Sequence, residues 1–199
     1  ESYSEEINKL TEQTPNLQFW FPSGPYKGMD DITRRRDIGL QQVQAYREYR
    51  LDPNQDGYYN PIYEDEEGKK YIEYEFNGEL GGVPVRGFID QVDIPQEGHE
   101  LRVVDVKSGK DPGDARQLKV YQIFVREQTG LRVTKGAYWM ARTGKAVEFD
   151  LTKYPDSMVI EEFQEVDEEI RAENFMAKPE PKQCMFCSVA NSCQFKETS

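Results

Sequence analysis

The chain has 199 residues, is 37% hydrophobic and 12% aromatic, and carries a formal charge of −12 from 37 acidic and 25 basic side chains. That length and apolar content suit one folded domain with a real core and exclude a disordered polar tail. Apolar runs are too short to span a membrane, no secretory signal is expected, and three cysteines crowded into the last 16 residues exclude a secreted disulfide framework, so the expected setting is cytoplasmic.

In chain order, residues 13–29 hold Pro15, Pro22, Gly24, Pro25 and Gly28 and are predicted as a loop. Asp30 or Asp31 is predicted to cap a helix that runs to about Leu51, with Ile38, Val43, Ala45 and Tyr46 on its apolar side. The stretch at 52–61, DPNQDGYYNP, ends it. Tyr71–Leu80 alternates and predicts a strand, with Glu73, Glu75 and Glu79 on one side and Ile72, Tyr74, Phe76 and Leu80 on the other. Gly81–Gly82 turns into a second strand over 83–94. A third covers 101–108, after a turn that contains Gly98 and His99. Residues 114–129 are predicted as a helix, followed by strands over 132–140 and 146–150 joined through Gly144. A last acidic helix should run from Asp156 or Ser157 to about Lys178 and end at Pro179 and Pro181. The expected fold class is α/β, a mixed central β-sheet flanked by helices, with a C-terminal cysteine-bearing tail. The expected organisation is an N-terminal helical region over 1–60, a core over 61–155, and a helix with cysteine tail over 156–199.

The low pI of about 4.7 argues against a generic nucleic-acid binder. The charge is uneven, however. Residues 52–100 carry 3 basic and 13 acidic side chains, whereas 101–145 carry 10 and 4. A basic block inside an acidic chain points to a localised anion-binding surface.

The third strand reads Arg102-Val-Val-Asp-Val-Lys-Ser-Gly-Lys110. Strand period 2 places Val103, Asp105 and Lys107 on one face and Val104 and Val106 on the other. Gly87-Phe-Ile-Asp90, on the strand before, can bring Asp90 beside Asp105. Two adjacent carboxylates repel unless a cation sits between them, and Mg²⁺ or Mn²⁺ suits oxygen ligands. Lys107 would stand beside a nucleophilic water or a phosphate oxygen. Gln117 and Tyr121, four apart on the next helix, present two polar ends on one face.

Gly87-Phe-Ile-Asp90, Val104-Asp105-Val106-Lys107-Ser108-Gly109 and Gln117-Leu-Lys-Val-Tyr121, in that order, resemble the core of the RecB-like nucleases, a branch of the PD-(D/E)xK superfamily. That branch includes CRISPR-associated RecB-like exonucleases, the AddB nuclease module and phage exonucleases. The resemblance covers roughly residues 60–195 and implies a restriction-endonuclease-like nuclease core. It implies Asp90, Asp105 and the carbonyl of Val106 as metal ligands, Lys107 as the catalytic lysine, and Gln117 and Tyr121 as its supporting pair. It also implies an acidic residue on the first strand, for which Glu75 is the candidate, with Glu73 and Glu79 as alternatives. Lys110, Arg116 and Lys119 are the candidate DNA-binding cations.

Cys184-Met-Phe-Cys187 and Cys193 give C-x2-C-x5-C, a spacing suited to metal ligation. From spacing alone, zinc and a [4Fe–4S] cluster are both open. The resemblance favours the cluster, since iron–sulfur relatives carry such a triplet. It implies a fourth cysteine near the N-terminus and a metal-site histidine upstream of the sheet; this chain has neither, so the expectation is either that a segment before Glu1 carries both or that both are lost. His99, the one histidine, is expected in a solvated turn.

The function these readings imply is a metal-dependent DNA nuclease, an exonuclease acting on single strands or duplex ends. Recombination, repair, phage replication and CRISPR adaptation are the processes implied, with recombination, helicase or CRISPR proteins as partners. Two alternatives stand beside it: a non-catalytic DNA-binding or assembly subunit with the same fold, and a zinc-stapled interaction domain.

Overall fold

The computed structural model describes residues 2–20, 25–52, 62–94 and 100–197. The expected turn at His99 and nearly all of the 52–61 break lie outside them. Helix α1 spans Tyr3–Gln13, α2 Gly28–Leu51, α3 Arg116–Thr129, α4 Ser157–Arg171 and α5 Pro181–Phe186. Strands β1 (Ile72–Leu80), β2 (Val83–Asp93), β3 (Leu101–Lys107), β4 (Val133–Met140) and β5 (Lys145–Asp150) form one sheet in the order β1-β2-β3-β4-β5. The β2–β3 and β4–β5 pairs are antiparallel, and β3–β4 is parallel. The expected mixed sheet with flanking helices is therefore present, in a restriction-endonuclease-like α/β arrangement. A parallel pair needs a long crossover, and α3 supplies it.

Contacts divide the chain into two units. One comprises Glu1–Asn77 and Arg86–Asp156, the other Gly78–Val85 and Ser157–Ser199.

In the first unit, α2 and α3 cover opposite faces of the sheet. Val104, Ala137 and Trp139 pack against Tyr46 and Tyr49 of α2, and the Tyr49 and Trp139 ring centroids lie 4.1 Å apart. On the other face, Leu118 of α3 and Leu151 close over Gly136, leaving no room for a Cβ there. Eight consecutive residues of α3, Leu118–Val125, are buried. Phe76 of β1 stacks on Phe124 with centroids 4.4 Å apart. A Cβ at Gly87 would lie 2.5 Å from Phe76 Cζ, so the glycine of the Gly87-x-x-Asp90 motif makes room for that ring.

In the second unit, the β1–β2 turn lies against α4. Gly81 has φ +62, and a Cβ there would come 2.5 Å from Ile160 Cγ2. Gln164 Nε2 donates to Gly81 O at 2.7 Å. Both the backbone conformation and the close approach require glycine.

Three differences from the sequence expectations have physical causes. Residues 3–13 are helical, with a Ser2–Glu5 capping box that was not predicted. Helix α2 starts at Gly28, before Asp30 and Asp31, and its N-cap Lys27 makes no side-chain cap bond. Helix α4 ends at Arg171, not near Lys178, because Glu173 turns left-handed at φ +54. The downstream prolines instead serve α5, which carries Pro181 in its first turn.

Candidate active site

The third strand carries its charges as period 2 requires. Asp105 and Lys107 face α3, while Val104 faces α2. Parallel pairing sets Asp105 opposite Tyr138 of β4. The antiparallel β2–β3 register ends at Gln91↔Val104, one step short of Asp90 and Asp105. Beyond it, the Asp90 side chain takes over, and Val106 N donates to Asp90 Oδ2 at 2.7 Å. The Val106 peptide thus lies next to both aspartates.

The remaining polar groups converge from α3. Gln117 Nε2 donates to Asp105 Oδ1 at 2.8 Å, and Lys107 Nζ donates to Gln117 Oε1 at 2.6 Å. The Tyr121 hydroxyl donates to the same Asp105 Oδ1 at 3.2 Å. Gln117 and Tyr121 are also joined directly at 2.7 Å. One helical turn separates them, which puts both on the face that meets the strand. Lys107 Nζ lies 2.8 Å from Asp105 Oδ2, an ion pair. That contact lacks hydrogen-bond geometry, so Oδ2, fully buried, accepts no directed bond. Lys107 Nζ also sits 5.2 Å from the centroid of the Tyr138 ring, whose hydroxyl donates to Asp114 O at 2.9 Å.

Burial pushes the Asp90 carboxyl above the usual aspartate range. Its Val106 N–H bond opposes this, Asp105 and Glu73 add to it, and Lys107 opposes it again. Burial likewise raises the Tyr121 hydroxyl well above the ordinary tyrosine value, with Asp105 adding to the effect. Tyr138 is pushed up to about 12 by burial and then by Asp105. Both phenols therefore stay protonated and act as donors.

Glu75, the candidate first-strand acid, is turned away. It pairs with Arg86 at 2.7 Å on the surface. The acid that acts on Asp90 is Glu73, which has a left-handed backbone at φ +46. Just before it the alternation shifts, so that Tyr71 is buried and Ile72 exposed, while Tyr74, Phe76 and Leu80 are buried and Glu75 and Glu79 exposed as expected. Tyr138 was not foreseen beside the site, and Glu73 was named only as an alternative to Glu75. No signal pointed to Tyr138, since its place next to Lys107 depends on strand pairing. Glu73 could be found only as one of three acids in its strand.

The proposed DNA-binding cations separate. Lys110 and Arg116 are exposed, and Arg116 lies 3.3 Å from Asp114. Lys119 is 4% exposed; its ammonium pairs with Asp156 at 2.7 Å and donates to Gln122 Oε1 at 2.6 Å. It is a buried structural cation and does not present its charge to DNA.

Asp90, Asp105 and the Val106 carbonyl offer oxygen donors only, and the buried Asp105 Oδ2 accepts no directed hydrogen bond. That donor set fits a hard divalent cation such as Mg²⁺ or Mn²⁺. Among the described residues the cysteines are not gathered into a metal site. Cys184, Cys187 and Cys193 are free thiols, the chain holds no fourth, and no group of three His, Cys, Asp or Glu among the described residues is gathered to hold a metal. None of the described helices is long and apolar enough to cross a membrane.

A model of the PD-(D/E)XK nuclease superfamily matches residues 30–194. The chain is 42% identical over 197 residues to the Gene 69 protein of Mycobacterium phage D29, covering 96% of this chain and 71% of that protein. It is 38% identical over 213 residues to the Gene 69 protein of Mycobacterium phage L5, covering 97% and 73%. Among solved structures, the crystal structure of SSO0001 matches with a TM-score of 0.45 at 14% identity, covering 97% of this chain and 82% of that one.

Proposed function

The chain belongs to the PD-(D/E)XK nuclease superfamily, and from that premise we propose that it is a metal-dependent deoxyribonuclease that digests DNA from an end. The observation that carries this reading is the Asp105–Lys107–Gln117–Tyr121 network, with Asp90 held against the Val106 peptide beside it. A structural Asp–Lys pair on a strand does not need two further polar side chains aimed at it. A site that must hold one geometry does.

Asp90, Asp105 and the Val106 carbonyl would hold Mg²⁺ or Mn²⁺. When bound, the cation supplies Lewis acidity to the attacking water and the scissile phosphate. Gln117 and Tyr121 saturate Asp105 Oδ1, which fixes the carboxylate plane and leaves Oδ2 without a directed hydrogen bond. Lys107 donates from Nζ to the water or a phosphate oxygen, where negative charge develops. Gln117 Oε1 holds that ammonium in place. The Tyr138 ring beneath it limits its swing and excludes water from one side.

Exposed Lys110 and Arg116 contribute positive charge near the strand end. Action from an end is tested directly by comparing labelled linear and circular single strands, each with Mg²⁺, with Mn²⁺ and with EDTA. Release of mononucleotides or short products from the linear strand alone, and only with metal, is the expected result. Equal cutting of circles would replace the exonuclease reading with an endonuclease. Inertness toward every DNA form with either metal would leave a binding subunit.

A further inference from the structure

We propose that the groove between α2 and the β4–β5 turn is a subsite for the phosphodiester backbone of the DNA strand, with Arg142 as its phosphate-binding residue. This rests on the nuclease reading above and extends it to a second place on the first unit.

The groove has a volume of about 410 Å³. Its polar lining is Gln41 and Gln42 from α2 and Arg142 and Thr143 from the turn. These supply amides, a hydroxyl and a guanidinium, and no carboxylate among the described residues. A phosphodiester accepts hydrogen bonds and donates none, so it needs such donors and is repelled by carboxylates.

The charge on Arg142 is also available. Arg35, Arg86, Arg126 and Arg132 each lie within 2.9 Å of a carboxylate oxygen. Among the described residues no carboxylate lies within ion-pair distance of Arg142, and its side chain is exposed.

Position links the groove to the chemistry. Strands β3 and β4 are parallel, so their C-terminal ends open at the same end of the sheet, with Lys107 beside Met140. Ala141, the next residue, lines the groove, and its N–H donates to Lys107 O at 2.9 Å. Lys107 faces α3 and the groove lies on the α2 side, so a strand with its scissile phosphate at Lys107 would reach this wall by crossing the C-terminal edge of β3 and β4. The turn that carries Arg142 is preorganised. Thr143 N and Gly144 N both donate to Met140 O, at 3.1 and 2.9 Å. Gly144 has φ +63, and a Cβ there would sit 3.7 Å from Ala45 Cβ, which seats the turn on α2. Little ordering is then needed when a phosphate binds.

The test is a titration of the full chain with a short fluorescein-labelled single strand in EDTA, at several salt concentrations. Arg142→Ala should weaken binding about tenfold and flatten the slope of log affinity against log salt by about one. Gln41→Glu, which adds a carboxylate at an exposed helix position, should also weaken binding. Arg132→Ala removes the same charge at the opposite end of β4 and should leave affinity and slope unchanged. Equal losses in Arg142→Ala and Arg132→Ala, or wild-type binding by Arg142→Ala, overturn the proposal. If the wild type binds DNA but never cleaves it, the nuclease reading falls, and the contrast between the two arginine variants still decides the groove. If the wild type cleaves with metal while Arg142→Ala binds normally, the groove falls and the nuclease stands.

Discussion

Gln117 bridges Lys107 and Asp105: its Oε1 accepts from Lys107 Nζ at 2.6 Å while its Nε2 donates to Asp105 Oδ1 at 2.8 Å. One amide thus fixes both the cation and the anion of the strand pair. Its orientation is forced by that pairing, since a flipped amide would set NH₂ against an ammonium and oxygen against a carboxylate. Gln117→Glu would keep the acceptor for Lys107 and place a second negative charge beside Asp105. Gln117→Leu would remove both bonds. Both variants should lower kcat by about 10–100-fold, since each misplaces a catalytic group without removing it. Gln117→Glu should in addition bind Mn²⁺ differently from wild type, which titration calorimetry would read. Wild-type kcat in Gln117→Leu would show that the bridge is dispensable.

Lys107 and Asp105 should separate in metal binding though not in cleavage. Lys107→Ala leaves the carboxylates in place and should still bind Mn²⁺. Asp105→Ala removes a ligand and should lose most of that affinity. Cleavage should fall by about 10²–10⁴-fold in Lys107→Ala, the range for a positioned proton donor or acceptor, and to background in Asp105→Ala. Mn²⁺ titration beside a single-turnover assay checks both. Unaltered cleavage by either variant removes that residue from the site.

Much of the frame was legible before the structure, for specific reasons. The period of 2 that sets Asp105 and Lys107 on the face opposite Val104, and the helical spacing of Leu118, Tyr121 and Val125, are local patterns. Gly87 and Asp90 belonged to a motif whose glycine now has a cause in Phe76. What was hidden is what depends on long-range pairing. Lys119 read as a basic residue of a basic segment, and only the position of Asp156 makes it a buried ion pair. Tyr138 lies 31 positions beyond Lys107 in sequence and meets it only because β3 and β4 pair in parallel. Glu73 was ambiguous with Glu75 because both share the exposed side of β1, and the left-handed backbone at Glu73 is not announced by a glutamate in the sequence.

The raised Asp90 carboxyl gives a signed pH effect. Its folded value lies above the ordinary 3.8, chiefly through burial, so the fold favours the protonated form. The resulting stability is fully present below 3.8 and is lost as pH rises through the folded value. Without divalent metal, wild type should therefore lose stability relative to Asp90→Asn as pH rises above that range. Saturating Mg²⁺ should reverse the order, since only the ionised aspartate binds it strongly. Thermal melts of the two proteins across pH 3 to 8, with EDTA and with Mg²⁺, check both signs. Parallel curves in EDTA would mean that Asp90 is not held in its protonated form.

Lys119 and Lys110 should divide stability from binding. Lys119→Met leaves Asp156 with Arg126 alone and removes a bond to Gln122. It should cost about 1–3 kcal/mol, the range for a charged hydrogen bond in a buried setting. Its DNA affinity should stay at the wild-type level. Lys110→Ala, at an exposed position after β3, should leave the melting temperature unchanged and weaken DNA binding with a smaller salt slope. Urea melts and fluorescence anisotropy on the same preparations separate the two effects.

The opposite face of the sheet holds a buried charge network that should act as the clamp for the β2–β3 register. Arg102, 2% exposed, pairs with Asp93 at 2.8 Å and Glu148 at 2.6 Å. Asp93, 0% exposed, also meets Arg50 at 2.9 Å and accepts from Gln91. Burial would lower the Arg102 value, but Asp93, Tyr49 and Glu148 outweigh it and hold the guanidinium charged. Asp93 and Arg102 are direct cross-strand partners, and Asp90 and Asp105 each lie three residues further along their strands toward the site. Arg102→Met should leave Asp93 poorly compensated and cost about 3–5 kcal/mol. The double variant Arg102→Met, Asp93→Leu replaces the pair with apolar groups and should recover most of that loss. Its cleavage is the decisive readout. If the network serves only to pair the strands, restored stability should restore kcat as well. A stable double variant with low kcat and weakened Mn²⁺ binding would show that the ion pair itself sets the separation of Asp90 and Asp105.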